Sequence, residues 1–178
     1  MEMLDQIASL YTSELANQFY AEDVTEANHA CQTAELATAS DSAKELVSAA
    51  FLHDIGHLLV GEYSTKETLD QDFQHEVVGC EFLKQHFDNS VVEPIRLHVE
   101  AKRYLCATDT DYLDNLSPAS KRSLEVQGGV MSKDEASEFE KLPHASESIK
   151  LRKWDDQAKV PNARPASVQH WINLIGTL

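Results

Sequence analysis

The chain has 178 residues, enough for one domain with a full hydrophobic core. Its 30 acidic and 15 basic residues give a formal net charge of −15 at pH 7. The overall electrostatic field therefore repels nucleic acids and anionic membranes, which excludes binding to either through net charge. Any anionic substrate must be held by a local cluster of cations.

The three cysteines, Cys31, Cys80 and Cys106, do not have the Cys-x-x-Cys spacing of a thiolate metal site. Their odd number argues against a disulfide framework and favours buried thiols in a reduced, cytoplasmic protein. No apolar run approaches the ~18 residues that a membrane span needs. The amino terminus, Met-Glu-Met-Leu-Asp-Gln, lacks the basic start of a signal peptide. We therefore expect a cytoplasmic location and no membrane partner.

Apolar residues recur at spacings of three and four along most of the chain, which is the pattern of amphipathic helices. The predicted helices span about 3–18, 26–38, a third stretch that ends at His53-Asp54, then 74–87, 89–106, 117–128, 132–141, 144–156 and a short terminal segment. Polar residues predict loops at 19–25 and 61–73. Because no strand pattern exceeds a few residues, the sequence predicts an all-α fold.

Capping residues mark three of the predicted helix starts. Asp41 or Ser42 can cap the third helix, and Ser117 followed by Pro118 is a strong start for a later one. The sequence Ser132-Lys-Asp-Glu is a capping box that opens the next helix.

The segment Ala50-Phe-Leu-His-Asp-Ile-Gly-His57 delivers His53 and Asp54 at the end of an apolar helix. Buried Asp and His are costly unless something compensates their polarity, and a metal ion is the strongest compensation. Adjacent helical residues point about 100° apart, so Asp54 can serve another edge of the site or give an oxygen to each of two metals. The alternative is a buried histidine whose aspartate neighbour caps a turn.

Candidate metal ligands occur on five different predicted helices. They are His29, His53 with Asp54, His75, His98 and Asp155. Helical bundles build metal centres from polar side chains that project inward from several helices. Four imidazoles and two carboxylates without a thiolate favour iron or manganese over a structural zinc.

A second set of residues shares helix faces with these ligands. His57 lies four residues after His53, Lys102 four after His98, and Arg152 three before Asp155. Ser120, in the first turn of a helix, adds a hydroxyl and free N–H groups. Together they predict a pocket for a tetrahedral oxyanion, although each residue alone also fits a solvated surface. The histidines without such partners are interpreted as surface residues; they are His86, His144 and His170.

Three longer segments are more particular than the His-Asp pair. They are His98-Val-Glu-Ala-Lys-Arg-Tyr104, residues 116–131 ending in Gln-Gly-Gly-Val-Met, and Ser148-Ile-Lys-Leu-Arg-Lys-Trp-Asp-Asp-Gln-Ala-Lys159. With His29, the His-Asp pair and His75, they resemble the HD-domain mixed-valent diiron oxygenases that cleave organophosphonates, the PhnZ type. The resemblance runs over about residues 19–161 and implies a single HD-type helical domain across residues 1–178.

Matched position by position, the resemblance implies two iron sites. One iron would be held by His29, His53, Asp54 and Asp155. Asp54 would bridge to the second iron, which His75 and His98 would also hold.

The same matching implies substrate roles. His57, Lys102, Ser120 and Arg152 match the positions that hold the phosphonate, Gln127 lies in the adjoining loop, and Glu22 matches the acidic residue that meets a substrate amine. The family's gating tyrosine falls on Phe19, with Tyr20 one position later, so these two are the candidate gating aromatics. The candidate catalytic residues are His53, Asp54, His57 and Lys102.

The resemblance implies an enzyme that uses Fe(II)/Fe(III) and O2 to cleave the carbon–phosphorus bond of a 1-hydroxyalkylphosphonate. The first substrate candidate is 2-amino-1-hydroxyethylphosphonate, giving glycine and phosphate. Hydroxymethyl and N-trimethylated phosphonates are alternatives in the same reaction. An upstream oxygenase would install the 1-hydroxyl group. Two other functions stay open: an HD phosphohydrolase that activates water on the same metals, and a non-catalytic HD binding module.

Overall fold

The computed structural model describes residues 3–19, 23–61 and 74–178. Within these ranges the fold is all-α, as the sequence predicts, and the only β pairing is an isolated bridge between Phe19 and Thr25. The helices are α1 (Met3–Tyr11), α2 (Glu26–Ala39), α3 (Lys44–Leu52), α4 (Ile55–Val60), α5 (His75–Leu83), α6 (Asn89–Thr108), α7 (Thr110–Asn115), α8 (Pro118–Val126), α9 (Lys133–Phe139), α10 (Ala145–Gln157) and α11 (Val168–Ile175), with a 3₁₀ turn at Leu15–Asn17. None of the described helices has both the length and the apolar character needed to cross a membrane.

Two of the predicted caps are confirmed. The Ser117 side chain accepts a hydrogen bond from the Ser120 N–H at 3.1 Å, and Pro118 is the first residue of α8. Ser132 and Glu135 form the reciprocal capping box of α9, with N–H···O distances of 3.2 and 2.7 Å. These local bonds satisfy amides that the start of a helix leaves open.

Two predicted helix boundaries near the amino terminus are wrong: the end of the first helix and the cap of the third. The first helix stops at Tyr11, because the Ser13 hydroxyl donates at 2.7 Å to a carbonyl of its last turn and the chain then bends. The third helix begins at Lys44 with Ala43 at the N-cap position and no capping side chain. Asp41 instead takes a left-handed backbone conformation, with φ of 51°.

Two further differences lie in the second half of the chain. The helix predicted at 74–87 ends at Leu83. Helix α7 was not predicted, because its six residues are too few for a periodic pattern; Asp109 caps it by accepting from the Tyr112 N–H at 3.0 Å. The predicted loops at 19–25 and 61–73 lie partly outside the described residues.

The chain turns at the His-Asp pair rather than continuing as a helix. Helix α3 ends at Leu52, and α4 begins at Ile55. The expectation that His53 and His57 share one helix face is therefore wrong, because the two residues lie on either side of this break. His57 is nevertheless buried, since α4 packs directly against α5.

Three hydrophobic clusters surround α6. The largest joins α1, α2, α3, α10 and α11 to the first half of α6 and includes Tyr11, whose ring packs on Phe51 with centroids 4.4 Å apart. The two smaller clusters pack the second half of α6 against α8, α9 and the chain around them. The three cysteines are buried and free, as predicted. The middle of α6 thus lies between several helices, and a polar residue there faces the interior.

Gly56 sets the distance between α4 and α5. A Cβ at Gly56 would lie 1.9 Å from the carbonyl oxygen of His75. Across the same contact, a Cβ at Gly79 would come no closer than 3.3 Å, to a side-chain atom of Ile55. Only glycine at residue 56 allows this approach, and the approach positions the first residue of α5.

Replacing Gly56 by alanine is expected to destabilise the protein by more than the ~1–3 kcal/mol of ordinary overpacking, because the opposing atom is backbone. Gly79→Ala is the matched comparison, and its effect is expected to be small. Urea denaturation of the metal-free proteins measures both. An unfolding free energy of Gly56→Ala equal to that of wild type would contradict this account of the packing.

Candidate metal centre and anion pocket

All six predicted ligands are buried and meet at one place in the fold. They come from the first half of α2, the α3–α4 junction, the first residue of α5, the middle of α6 and the end of α10. The residues are His29, His53, Asp54, His75, His98 and Asp155. The contacts between them divide into two groups that share Asp54.

The first group gathers around one oxygen of Asp54. Its Oδ2 lies 3.6 Å from His29 Nε2 and 3.3 Å from His53 Nε2. Asp155 Oδ1 lies 3.3 and 3.9 Å from the same two nitrogens. Four donor atoms from three parts of the chain thus face one another.

The second group gathers around the other oxygen of Asp54. Its Oδ1 lies 3.4 Å from His75 Nε2 and 3.6 Å from His98 Nε2, and these two nitrogens are 3.2 Å apart. The Asp54 carboxylate therefore presents one oxygen to each pair of histidines. This is the arrangement of a carboxylate that can bridge two metal ions.

Backbone carbonyls fix the orientation of three of the imidazole rings. A carbonyl only accepts hydrogen bonds, so the ring Nδ1 that it faces carries the hydrogen and Nε2 turns its lone pair to the centre. The pairs are His29 with Ala158 at 3.0 Å, His53 with Ala50 at 2.9 Å and His98 with Ile95 at 2.6 Å.

The electrostatics of the centre favour added positive charge. Burial would raise the pKa values of Asp54 and Asp155, yet His53 near the former and Arg152 near the latter hold them well below the usual range. Although burial acts to lower the pKa of His53, the Asp54 and Asp155 carboxylates raise it to about 9, and a metal ion would take the place of the proton on Nε2. Converging lone pairs and two carboxylates fit a pair of metal ions, and nitrogen and oxygen donors without sulfur suit iron or manganese.

Lys102 and Ser120 belong to a connected polar network beside the centre. Lys102 is buried in α6, and its Nζ donates to Ser123 Oγ at 2.8 Å. Ser123 Oγ donates to the Ser120 carbonyl at 3.1 Å, and Lys159 Nζ donates to Ser120 Oγ at 3.3 Å. Burial, together with the nearby Arg152 charge, lowers the pKa of Lys102 to about 7. An anion bound here would favour its charged form.

Arg152 connects this network to the candidate ligands. It is buried in α10, and its Nη1 donates to Asp155 Oδ2 at 2.8 Å. Asp155 thus turns one oxygen to the histidines and the other to the guanidinium. The same guanidinium also bonds to Asp156 and Tyr112. Arg152 is therefore placed both to orient the candidate metal ligand Asp155 and to attract an anion.

The two remaining predicted residues of the anion pocket that the structure describes are His57 and Gln127. The His57 ring stacks on the His75 ring, with centroids 4.0 Å apart. Burial, with a smaller effect from His75, lowers the pKa of His57 to about 3, so this ring is neutral at neutral pH. Gln127 is the C-cap that follows α8, and its buried Oε1 accepts no hydrogen bond from the residues described.

Phe19, the predicted gating aromatic that the structure describes, is not enclosed in the same way. Phe19 is 75% exposed and lies beside Thr25, the N-cap of α2. Glu22 and Tyr20 lie outside the described residues. The roles of all three stay predictions.

Sequence reasoning missed Glu26, which is almost completely buried. Neither of its carboxylate oxygens accepts a hydrogen bond from the described part of the chain. It lies three residues before His29 on the same face of α2, a spacing that offers the signal for finding it. Burial, and then the charge of Asp54, raises the pKa of Glu26 well above its usual value. A buried carboxyl group without a hydrogen-bond partner lowers the stability of the folded protein.

Replacing Glu26 by methionine, which keeps the volume and removes the polar atoms, is expected to stabilise the metal-free protein by ~1–3 kcal/mol. Glu26→Gln is the control, because its amide needs partners at the same position and should gain little. Chemical denaturation checks both variants. A methionine variant less stable than wild type would show that the carboxyl group is satisfied in the folded protein.

Comparison with known proteins identifies the class of the chain. The family model for the HD domain matches residues 27–125, more than half of the sequence. This region contains the first five candidate ligands, whereas Asp155 follows it on α10. The chain belongs to the HD-domain family.

Two relatives narrow this class. The chain is 44% identical to a hydroxymethylphosphonate dioxygenase of Gimesia maris over 170 residues, which cover 94% of this chain and 85% of the relative. It is 35% identical to the glycine-betaine-forming [1-hydroxy-2-(trimethylamino)ethyl]phosphonate dioxygenase of Leisingera caerulea over 175 residues, 97% of this chain and 88% of the relative. Within the HD-domain family, the chain therefore belongs to the phosphonate-cleaving oxygenases.

Proposed function

We propose that this protein is an O2-dependent dioxygenase that cleaves the carbon–phosphorus bond of a small 1-hydroxyalkylphosphonate. One observation carries the proposal: the two oxygens of Asp54 face two separate histidine pairs. The similarity of this chain to two phosphonate dioxygenases supports the reaction class. The functional unit is a single HD-type domain over residues 1–178, because Asp155 on α10 completes a centre that begins within the matched region.

The chain would hold two iron ions, in the Fe(II)/Fe(III) state. His29, His53 and Asp155 would hold one ion, His75 and His98 the other, and Asp54 would contact both. Such an ion pair supplies redox chemistry with O2 that no protein side chain provides.

The protein's own residues would bind and orient the phosphonate. Lys102 and Arg152 are buried cations in a chain of formal charge −15, and their attraction for a dianion is strong because water is excluded. Ser120 offers a hydroxyl between them and Lys159. Fixing the phosphonate at this end holds the hydroxylated carbon against the centre, which is a contribution of proximity and orientation.

Among the possible substrates, hydroxymethylphosphonate is the first choice. The relative that acts on it shares 44% of its residues with this chain, against 35% for the trimethylamino enzyme. Phe19, at the position of the family's gating tyrosine, cannot donate a hydrogen bond to a larger substrate. The 2-amino-1-hydroxyethyl compound, which would give glycine and phosphate, is the second choice. In each case an upstream oxygenase would supply the hydroxyl group.

The test is anaerobic loading with Fe(II), followed by limited O2 and a panel of the hydroxymethyl, 2-amino-1-hydroxyethyl and trimethylamino compounds. We expect one O2 consumed per phosphate released, and formate as the second product from hydroxymethylphosphonate. Methylphosphonate, which lacks the hydroxyl, is the matched control and should give neither. Phosphate release from phosphate esters without O2 uptake would instead show a phosphohydrolase.

Removing one histidine from each group tests the assignment of two metal sites. His29→Ala and His98→Ala are each expected to lower the metal content from two ions per chain towards one. The lost ion should differ between the variants, because each removes a donor from only one side of Asp54. His86→Ala, an exposed histidine, is the control. Elemental analysis after gel filtration measures the content, and a single ion in the wild type would contradict the two-site assignment.

A further inference from the structure

Tyr112 and Asp156 enclose the guanidinium of Arg152 on the side away from the metal centre. Arg152 Nε donates to Asp156 Oδ2 at 3.0 Å and to the Tyr112 hydroxyl at 3.2 Å. Its Nη2 makes a close ion pair with Asp156 Oδ1, and the Tyr112 hydroxyl donates a short hydrogen bond to Asp156 Oδ2. The tyrosine and the aspartate therefore bind each other as well as the arginine.

The donor atoms of Arg152 are divided between two tasks. A guanidinium has five N–H groups in a rigid plane. Nε and one Nη2 hydrogen are directed to Tyr112 and Asp156, and one Nη1 hydrogen is directed to Asp155 Oδ2 at 2.8 Å. Among the described residues, the other two N–H groups have no partner and can bind another anion. Asp156 fixes the plane in which they point, because it binds the guanidinium through two of its nitrogens.

Asp156 also balances the charges of this region. Lys159 Nζ lies 4.0 Å from Asp156 Oδ1, so the carboxylate stands between two cations. Asp156 and Tyr112 line a cavity of about 510 Å³ together with Ser120 and Lys159. The polar groups on this wall are thus continuous with the network that contains Lys102.

We propose that Tyr112 and Asp156 are positioning residues that hold Arg152 so that it orients Asp155 and binds an anionic substrate group at the same time. This rests on the proposed function, since it names how the phosphonate-binding arginine is kept in place. Asp156 is adjacent to Asp155 in sequence but turns to the opposite side of the guanidinium. The two neighbouring aspartates therefore have different roles, one towards the histidines and one towards the arginine.

Without the pair, the guanidinium loses its fixed plane. It is then free to turn towards Asp155 as its only carboxylate partner, and its remaining N–H groups no longer point to one place. Binding of an anion then costs ordering of the arginine as well as of the ligand. The expected result is weaker binding of the phosphonate rather than loss of the fold.

The test measures binding of inorganic phosphate, the product, to the metal-loaded protein by calorimetry, together with KM and kcat. Asp156→Asn is expected to weaken phosphate binding and raise KM by about 10-fold, and Tyr112→Phe by about 3-fold, in proportion to the bonds removed. Asp111→Asn is the matched control, because Asp111 lines the same cavity and is not among the described residues that bond to Arg152, which are Tyr112, Asp155 and Asp156. Metal content and thermal unfolding are measured on each variant.

A double-mutant cycle separates positioning from a general structural effect. In an Arg152→Met background, Asp156→Asn should weaken phosphate binding no further, because the guanidinium that Asp156 positions is absent. An Asp156→Asn variant that binds phosphate as tightly as Asp111→Asn, or an undiminished effect in the Arg152→Met background, would overturn the proposal. Phosphate binding is measured without turnover, so this result stands apart from the outcome of the O2 assay.

Discussion

Two carboxylates, Asp54 and Asp155, are buried in the interior of a helical protein, and the surrounding structure is arranged to meet their charge. A buried carboxylate without compensation is costly. Here each is surrounded by imidazole nitrogens, and Asp155 also receives Arg152 at 2.8 Å. Backbone carbonyls fix three of the four histidines, His29, His53 and His98, on their outer side. The result is a rigid set of donors that all face inward and attract cations.

The break between α3 and α4 is what gives Asp54 its central place. Because the chain turns at this residue, its carboxylate projects between α5 and α6 on one side and α2 on the other. The close approach at Gly56 then brings His75 into reach.

The charges of the site are separated in space, and α10 joins the two parts. Lys102, Arg152 and Lys159 form a cationic region in an acidic chain, and the candidate ligands form an anionic one. Arg152 belongs to both, since it bonds to Asp155 in the centre and to Asp156 and Tyr112 outside it. An anion bound by Arg152 would therefore be connected to the orientation of the candidate metal ligand Asp155.

The sequence by itself determined the all-α class, two of the three predicted helix caps and all six buried side chains of the centre, because these depend on local periodicity or on residue types that are rare inside a core. It did not find Glu26, Tyr112 or Asp156. Asp156 and Tyr112 are 44 residues apart and meet only because α7, which packs against α6, brings the Tyr112 hydroxyl to α10. Helix α7 is too short to have a periodic pattern. From the sequence, Asp54 could either serve another edge of one site or give one oxygen to each of two metals. Tertiary structure decided it, since side-chain direction at a turn depends on the helices that pack around it.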